Sequence, residues 1–370
     1  MQDHILMNDG AVQSCFSADY AEARTKFIAA AQGAGAHLEH RVLEGIAGAL
    51  GETLATDVAL LGTADAESLV VLSSGVHGVE GFCGSGCQVA LLRDPALLGL
   101  ARERGVALLL IHAVNPYGFS HRRRTNEDNI DLNRNFIDFA QPTRNPAYAE
   151  LHELMLPLQW PPTEDNARSI AGYIARHGET AFREAVTTGQ SEFADGLFYS
   201  GTAPSWSNRT LRAILRSHAA QRRRIAWIDV HTGLGRCGHG EKIHAGLPGT
   251  TDNLRATRAI WGADVVAAWE GDSASRQVVG HAVSAVFAEC PQAESVGIAL
   301  EYGTRKATAM EALRAEHWLH RHPDAASTEQ RAAIKQDLHD AFYVDDDEWR
   351  GMIAGQCRTA LLQGVLALGR

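Results

Sequence analysis

Residues 70–81 read Val-Val-Leu-Ser-Ser-Gly-Val-His-Gly-Val-Glu-Gly, an apolar run that ends in a glycine-rich turn. The run is typical of a buried β-strand, and the turn carries His77 and Glu80 three residues apart. Glycine adopts backbone conformations that other residues avoid, so the turn can bring both side chains to one point. An imidazole and a carboxylate are common zinc ligands. We therefore interpret the turn as half of a zinc site and expect the rest of the chain to supply the other half.

The sequence around this turn has the pattern of a βαβ unit. Residues 84–92 are small and apolar and favour a helix, and residues 106–113 form a continuous apolar run typical of a strand buried on both faces. Strand, turn, helix and strand within about 45 residues indicate parallel strands joined by a crossover helix. The chain is therefore predicted to be an α/β protein with a central, mixed, mostly parallel sheet flanked by helices.

The remaining elements are predicted from apolar periodicity and from glycine and proline breaks. Further helices are expected at residues 18–34, at 146–185 with a proline break at 160–162, and at 210–222, 251–261, 306–320, 328–341 and 347–368. Further strands are expected at residues 37–43, 53–61, 224–230 and 296–300. No linker divides the 370 residues, so we predict a single domain, residues 1–370, with a helical insertion at about 141–215.

The composition argues against several classes of protein. Hydrophobic residues make up 45% of the chain and charged residues 21%, as in an ordinary globular protein. A net charge of −10 disfavours nucleic-acid binding, and no stretch approaches the roughly 20 apolar residues of a membrane helix. The six cysteines are scattered, without a disulfide framework. Since the first residues also lack the pattern of a signal peptide, we expect a cytoplasmic protein.

Two later strands are also followed by polar residues that can bind a metal or act as a base beside it. The strand at 224–230 is followed by His231, and the strand at 296–300 by Glu301. Ligands of open α/β sheets lie at the carboxyl ends of strands, so both residues are expected near the glycine-rich turn. Two histidines and one glutamate leave a fourth zinc position for water, whose proton Glu301 could pass to a leaving amine. Asp229 shares a strand face with His231 and could orient that histidine, the commoner case, or bind a second metal.

The segment at 128–136, Asp-Asn-Ile-Asp-Leu-Asn-Arg-Asn-Phe, is dense in polar groups. Its Asn-Arg pair suits the binding of a carboxylate, because the planar guanidinium offers two parallel donors and the amide adds another. With this segment the chain resembles the zinc carboxypeptidase superfamily, and within it a little-characterised bacterial branch. The resemblance rests on four motifs in order, which are Gly-x-His-Gly-x-Glu-Gly at 75–81, Asn-Glu-Asp-Asn-x-Asp-Leu-Asn-Arg-Asn-Phe at 126–136, Asp-x-His-Thr-Gly-Leu-Gly at 229–235 and Glu-Tyr-Gly-Thr at 301–304.

The resemblance implies a zinc-carboxypeptidase-like fold and a catalytic metal. One zinc ion would be bound by His77, Glu80 and His231. Glu301 would be the general base and acid. The shared motifs span roughly residues 70 to 304, which is most of the chain.

The resemblance also implies residues that bind or orient the substrate. Asn133 and Arg134 would hold the C-terminal carboxylate of a peptide-like substrate. Asp131 would hydrogen-bond a zinc-bound histidine and fix its tautomer. These roles make a free carboxylate on the substrate part of the prediction.

Two roles of the superfamily have more than one candidate in this sequence. The arginine that stabilises the oxyanion would be Arg124 or, after it, Arg123, while Arg122 competes at the adjacent position. Digestive carboxypeptidases also cap the substrate with a tyrosine from a loop. Tyr302, beside the catalytic glutamate, and Tyr199, in a Phe-Tyr-Ser-Gly loop, are the candidates for substrate binding.

These roles predict a zinc-dependent hydrolase that cleaves an amide bond next to a free carboxylate. The favoured activity is that of a carboxypeptidase-type metallopeptidase acting on a peptide. The alternative is deacylation of an N-acyl amino acid, as in aspartoacylase and succinylglutamate desuccinylase, but residues 306–368 look helical where that branch has a β-rich domain. A third hypothesis, from another class, is a non-catalytic peptide-binding module on the same fold.

Overall fold

Eight strands form one sheet at the centre of this computed structural model, which describes residues 12–63, 65–247, 249–271, 273–275, 278–305 and 309–370. The strands are β1 (His37–Ala47), β2 (Thr53–Leu61), β3 (Ser68–Ser73), β4 (Val106–His112), β5 (Arg224–Cys237), β6 (Gly240–His244), β7 (Val265–Val266) and β8 (Glu294–Gly303). Their order is β1-β2-β4-β3-β5-β8-β6-β7. Strands β4, β3, β5 and β8 run parallel, whereas the pairs β1–β2, β2–β4 and β6–β8 are antiparallel. The predicted mixed, mostly parallel sheet is confirmed.

Helices cover both faces of this sheet. They are α1 (Tyr20–Gly33), α2 (Gly81–Leu92), α3 (Pro95–Glu103), α4 (Pro116–Ser120), α5 (Pro146–Met155), α6 (Glu164–His177), α7 (Glu179–Thr187), α8 (Trp206–His218), α9 (Thr251–Trp261), α10 (Ala285–Glu289), α11 (Ala309–Arg321), α12 (Thr328–Phe342) and α13 (Asp347–Leu368). Val70 and Leu72 of β3 face a cluster with α1, α2, α9 and α13, while Leu69 and Val71 face one with α8 and α10. Because both faces of β3 are buried, its sequence reads as a continuous apolar run.

The turn after β3 depends on glycine at one position of very close approach. A Cβ on Gly78 would lie 2.0 Å from the backbone carbonyl carbon of Gly118, so no side chain fits there. The same turn is tied to a neighbouring segment by two backbone hydrogen bonds, from Gly78 N to Arg124 O at 3.1 Å and from Val79 N to Arg123 O at 2.8 Å. These contacts hold the backbone in place between His77 and Glu80.

Several elements differ from the prediction, among them β5, which continues past the expected 224–230 to Cys237 and so contains His231. The helix expected at 210–222 is α8 (Trp206–His218), because the Ser205 side chain caps it by accepting from Asn208 N at 3.1 Å. Residues 240–244, for which no strand was predicted, form β6, which pairs antiparallel with β8. Such a short strand has little local signal, since its pairing with a distant segment decides its conformation.

Helices α5, α6, α7 and most of α8 occupy the expected insertion at about 141–215. The prediction that 160–162 breaks the helical region is confirmed, because α5 ends at Met155 and α6 begins at Glu164. Within the described part of the chain, no helix has the length and apolar character needed to cross a membrane.

Candidate active site

The carboxyl ends of β3, β5 and β8 meet at one edge of the sheet, as expected for parallel neighbours. One ligand atom from each of His77, Glu80 and His231 lies within 4.8 Å of the other two. The Glu80 carboxylate lies between the rings, with Oε1 2.9 Å from His77 Nδ1 and Oε2 2.8 Å from His231 Nδ1. The structure therefore brings together the three residues that were predicted to bind a metal.

An aspartate approaches each histidine ring from its far side. Asp229 Oδ2 is 2.7 Å from His231 Nε2. Asp131 Oδ1 is 3.3 Å from His77 Nε2, a close approach without the alignment of a hydrogen bond. A carboxylate on one ring nitrogen directs the other nitrogen toward a metal, and in both rings that other nitrogen is Nδ1. Both aspartates thus lie where they can orient a ligand.

The site gathers opposite charges away from water. His77, Glu80 and His231 are only 2–5% exposed. Burial favours the neutral form of Glu80, but the charge of His77 and the hydrogen bond from His231 outweigh burial and hold the pKa of Glu80 well below its usual range. Burial also opposes a charge on His231, yet Asp229 and Glu80 hold the pKa of this histidine well above its usual value. Glu80 is therefore ionised and able to act as a ligand.

Replacing Asp229 with asparagine should weaken zinc binding about 10–100-fold, because the carboxylate that orients His231 is lost while the size of the side chain is kept. Zinc affinity would be measured by competition with a chelator. The matched control is Asp252→Asn, which removes an exposed carboxylate paired with Arg255 on the surface. Equal zinc affinities of wild type and Asp229→Asn would contradict the orienting role.

Glu301 lies directly opposite His231 in the parallel pair β5–β8. Its Oε1 accepts a hydrogen bond from Leu234 N at 3.1 Å. Burial, followed by the charge of Glu80, raises the pKa of Glu301 to about 8. A carboxyl group that titrates near neutral pH can both accept and donate a proton, which suits the predicted acid–base role.

Arg124 is the arginine that reaches this site. Its Nε is 2.9 Å from Asp131 Oδ2, and its Nη1 is 3.5 Å from Glu80 Oε1. It thus lies beside both the ligand group and an orienting aspartate. This position fits the predicted role of Arg124 at a developing oxyanion.

The second candidate, Arg123, points away from the site, and this part of the prediction is wrong. Its Nε donates to Glu316 Oε1 at 2.8 Å, and its Nη1 is 3.0 Å from His320 Nδ1. The guanidinium is thereby held in a buried network with α11. Arg122 also lies elsewhere, with Nη1 3.3 Å from Gln336 Oε1.

Asn133 and Arg134 line the side of the site next to His231. Asn133 Nδ2 is 3.3 Å from His231 Nε2, and Asn133 Oδ1 accepts from Ala282 N at 2.8 Å. Arg134 Nε donates to the carbonyl of Thr187 at 3.1 Å. Burial lowers the pKa of Arg134 to about 10, so the guanidinium remains charged at neutral pH. A buried cation near the ligand group is suited to an anionic part of a substrate.

The two predicted tyrosines lie in different surroundings. Tyr302 is fully buried and donates to Ile353 O at 3.0 Å, because successive strand residues point to opposite faces and Glu301 faces the site. Its predicted contact with substrate is therefore wrong. Tyr199 is 8% exposed, its side chain packs in an apolar cluster, and its carbonyl accepts from Asp131 N at 2.9 Å. Tyr199 supports the site through its backbone.

Two groups of residues at the site were missed by the sequence analysis. Ser73 donates to Asp229 Oδ1 at 2.6 Å and accepts from Trp227 Nε1 at 2.7 Å, which fixes the aspartate. The alternation of side chains along β5 places Trp227 and Asp229 on one face and could have indicated this. Phe198, which precedes the tyrosine considered for substrate binding, lies against both site arginines. No local pattern indicates that contact.

The sequence matches one protein family over most of its length. The family described as "Protein of unknown function (DUF2817)" matches residues 16–356. No curated protein matches the sequence.

Solved structures of similar fold include thrombin-activatable fibrinolysis inhibitor, with a TM-score of 0.54 and 10% identity over 99% of this chain and 78% of that one. The bovine form, in complex with tick carboxypeptidase inhibitor, gives a TM-score of 0.51 and 10% identity over 96% of this chain and 98% of that one. A metallo-carboxypeptidase from Burkholderia cenocepacia has 14% identity and a TM-score of 0.45, over 93% of this chain and 68% of that one. The two likenesses with TM-scores above 0.5 concern the fold alone, and with them the expected zinc-carboxypeptidase-like fold is confirmed.

Proposed function

This chain belongs to the family described as Protein of unknown function (DUF2817), and we propose that it is a zinc-dependent hydrolase that cleaves an amide bond next to a free carboxylate. The favoured reaction is release of a C-terminal amino acid from a peptide. The observation that carries the proposal is the position of the Glu80 carboxylate between two Nδ1 atoms at 2.9 and 2.8 Å, with the Glu301 carboxyl group on the adjacent strand.

The donor set of the site fits zinc. His77, Glu80 and His231 offer two imidazole nitrogens and a carboxylate, a combination that catalytic zinc sites use with one position left for water. These residues would hold one zinc ion, which when bound polarises the scissile carbonyl and lowers the pKa of its water to about 7. Asp229 supports this assignment, because its hydrogen bond to Nε2 of His231 keeps Nδ1 of that ring available, and Asp131 lies 3.3 Å from Nε2 of His77.

Glu301 is the group that moves the proton. Its carboxylate takes a proton from the attacking water and then gives it to the nitrogen of the leaving amine. Burial and the charge of Glu80 raise the pKa of Glu301, which makes its carboxylate a stronger base toward that water than an ordinary carboxylate. The hydrogen bond from Leu234 N to Oε1 keeps the group in place.

The two site arginines would bind the negative charges of the reaction. Arg124, held by Asp131 at 2.9 Å, lies where it can stabilise the oxyanion that forms on the scissile carbonyl. Arg134 and Asn133 would bind the free carboxylate of the substrate, for which a guanidinium offers paired donors. Burial of Arg134 strengthens that attraction because water is excluded.

A matched pair of substrates tests this proposal. Zinc-loaded protein should release the last residue of a short peptide and should be at least about 100-fold less active on the same peptide with a C-terminal amide, which lacks the charge that a guanidinium binds. A chelator should abolish the activity and zinc should restore it. Product formation would be followed by mass spectrometry.

Other outcomes of the same panel would point elsewhere. Cleavage of N-acyl amino acids without cleavage of peptides would favour the deacylase. Zinc-loaded protein that binds peptides but turns over none of them would favour the peptide-binding module. Activity that survives removal of all metal would contradict the zinc-dependent mechanism.

A further inference from the structure

The ring of Phe198 lies against both guanidiniums of the site at once. The Cζ atoms of Arg124 and Arg134 are each 5.2 Å from the centroid of this ring. An aromatic face attracts a cation at such a distance, and it does so more strongly where water is excluded. Phe198 is 6% exposed and Arg134 is 4% exposed, so the contacts are sheltered from water.

The backbone of Phe198 has a left-handed conformation with φ of +51°. A bulky side chain rarely adopts this conformation, and it persists where the surrounding structure enforces it, often at functional sites. Here the neighbouring segment is held from both directions. Gln190 N donates to Phe198 O at 3.2 Å, and Leu197 N donates to the Tyr148 hydroxyl at 2.7 Å.

The same inserted region encloses Arg134. The Thr187 carbonyl accepts from Nε of Arg134 at 3.1 Å, and a Cβ on Gly189 would lie 2.8 Å from its Cδ. The residue after Phe198 is also connected to the site, because Asp131 N donates to Tyr199 O at 2.9 Å. The insertion therefore forms the wall behind the arginine.

We propose that Phe198 is a positioning residue that holds Arg124 and Arg134 side by side as a paired site for the anionic groups of the substrate. Two guanidiniums repel each other, and among the described residues Asp131 is the one carboxylate that pairs with both, at 2.9 Å from Arg124 Nε and 4.0 Å from Arg134 Nη1. The ring adds attraction to both cations without occupying an N–H donor. Nε, Nη1 and Nη2 of Arg134 each donate one hydrogen bond to a backbone carbonyl, so the second N–H of Nη1 and of Nη2 stays available for substrate oxygens. The nature of those anionic groups rests on the proposed function.

Two kinds of substitution distinguish the effect of the aromatic face of Phe198 from the effect of its side-chain volume. Phe198→Leu and Phe198→Met keep an apolar side chain and remove the aromatic face, whereas Phe198→Tyr keeps the face. We expect kcat/KM on a peptide to fall about tenfold in the first two, with zinc affinity unchanged, and to be within about twofold of wild type in Phe198→Tyr. The matched control is Phe193→Leu, which removes a ring from the same region that stacks on His152 at 4.2 Å.

A measurement independent of activity follows the arginines themselves. In protein labelled with ¹⁵N-arginine, the Nε–H signals of Arg124 and Arg134 are assigned by their loss in the two Arg→Lys variants. Loss of the ring current moves both signals by itself, so the readout is how fast these Nε–H protons exchange with water. Exchange should be slow in wild type and in Phe198→Tyr and faster in Phe198→Leu and Phe198→Met, where the arginines are no longer held. Unchanged exchange rates in the leucine and methionine variants would overturn the positioning role. Faster exchange in these variants of a protein without hydrolase activity would support the positioning role and count against the proposed function.

Discussion

Replacing Glu301 with glutamine should lower kcat about 10²–10⁴-fold and leave zinc binding unchanged. Glutamine keeps the shape of the side chain but cannot take a proton from water. Glu301 is not among the three residues whose ligand atoms cluster, so the metal should stay in place. The measurements are kcat on a cleaved peptide and the zinc content of the purified variant.

The matched control for this prediction is Glu294→Gln at the exposed start of the same strand, β8. This change leaves the site intact and should alter kcat less than twofold, as is usual for exposed positions. If Glu301→Gln kept more than about a tenth of the wild-type kcat with full zinc content, proton transfer by Glu301 would be ruled out.

The wild-type pH profile follows from the same carboxyl group. As general base Glu301 must be ionised, so kcat/KM should fall as the pH decreases and the group takes up a proton. Burial and the charge of Glu80 raise its pKa above the ordinary 4.5. The acidic limb of the profile should therefore lie above pH 4.5.

The positions of the three candidate metal ligands could be predicted from the sequence because the information is local. Apolar runs define β3, β5 and β8, and the polar residues that follow them must meet at one edge of a parallel sheet. The structure agrees, since His231 and Glu301 are direct neighbours in the β5–β8 pair. The orientation of Tyr302 away from the site could also have been predicted, because side-chain alternation along a strand places it on the face opposite Glu301.

The direction of the arginines could not be predicted in this way. Arg122, Arg123 and Arg124 are consecutive, and their directions depend on a positive φ at Arg122 and on contacts with residues far along the chain. Glu316, which binds Arg123, lies 193 residues away in sequence. Likewise, nothing near Phe198 in sequence indicates that its ring lies on two arginines, because Arg124 and Arg134 come much earlier in the chain.

Replacing Glu316 with alanine should lower the free energy of unfolding by about 3–5 kcal/mol. Glu316 is 1% exposed, and its Oε1 accepts from Arg123 Nε at 2.8 Å and from Lys335 Nζ at 2.7 Å. Its removal would leave the buried Arg123 and the partly exposed Lys335 without the carboxylate that they share. Urea unfolding would measure the loss, with Glu179→Ala as control, since its exposed pair with Arg183 contributes at most about 0.5 kcal/mol.

The stability supplied by Glu316 should depend on pH in a defined direction. Burial favours its neutral form, but the charges of Arg123 and Lys335 outweigh burial and hold its pKa well below the ordinary 4.5. A carboxyl whose pKa is depressed by folding stabilises the protein above the unfolded pKa and loses that effect as the pH falls toward the folded one. The difference in unfolding free energy between wild type and Glu316→Gln should be full at pH 7 and should shrink below about pH 4.5. A difference that is the same at pH 7 and pH 3.5 would contradict the ion pair. The carbonyl of Arg123 also accepts a hydrogen bond from Val79 N, in the turn that carries His77 and Glu80. Zinc affinity should therefore weaken as the free energy of unfolding falls with pH.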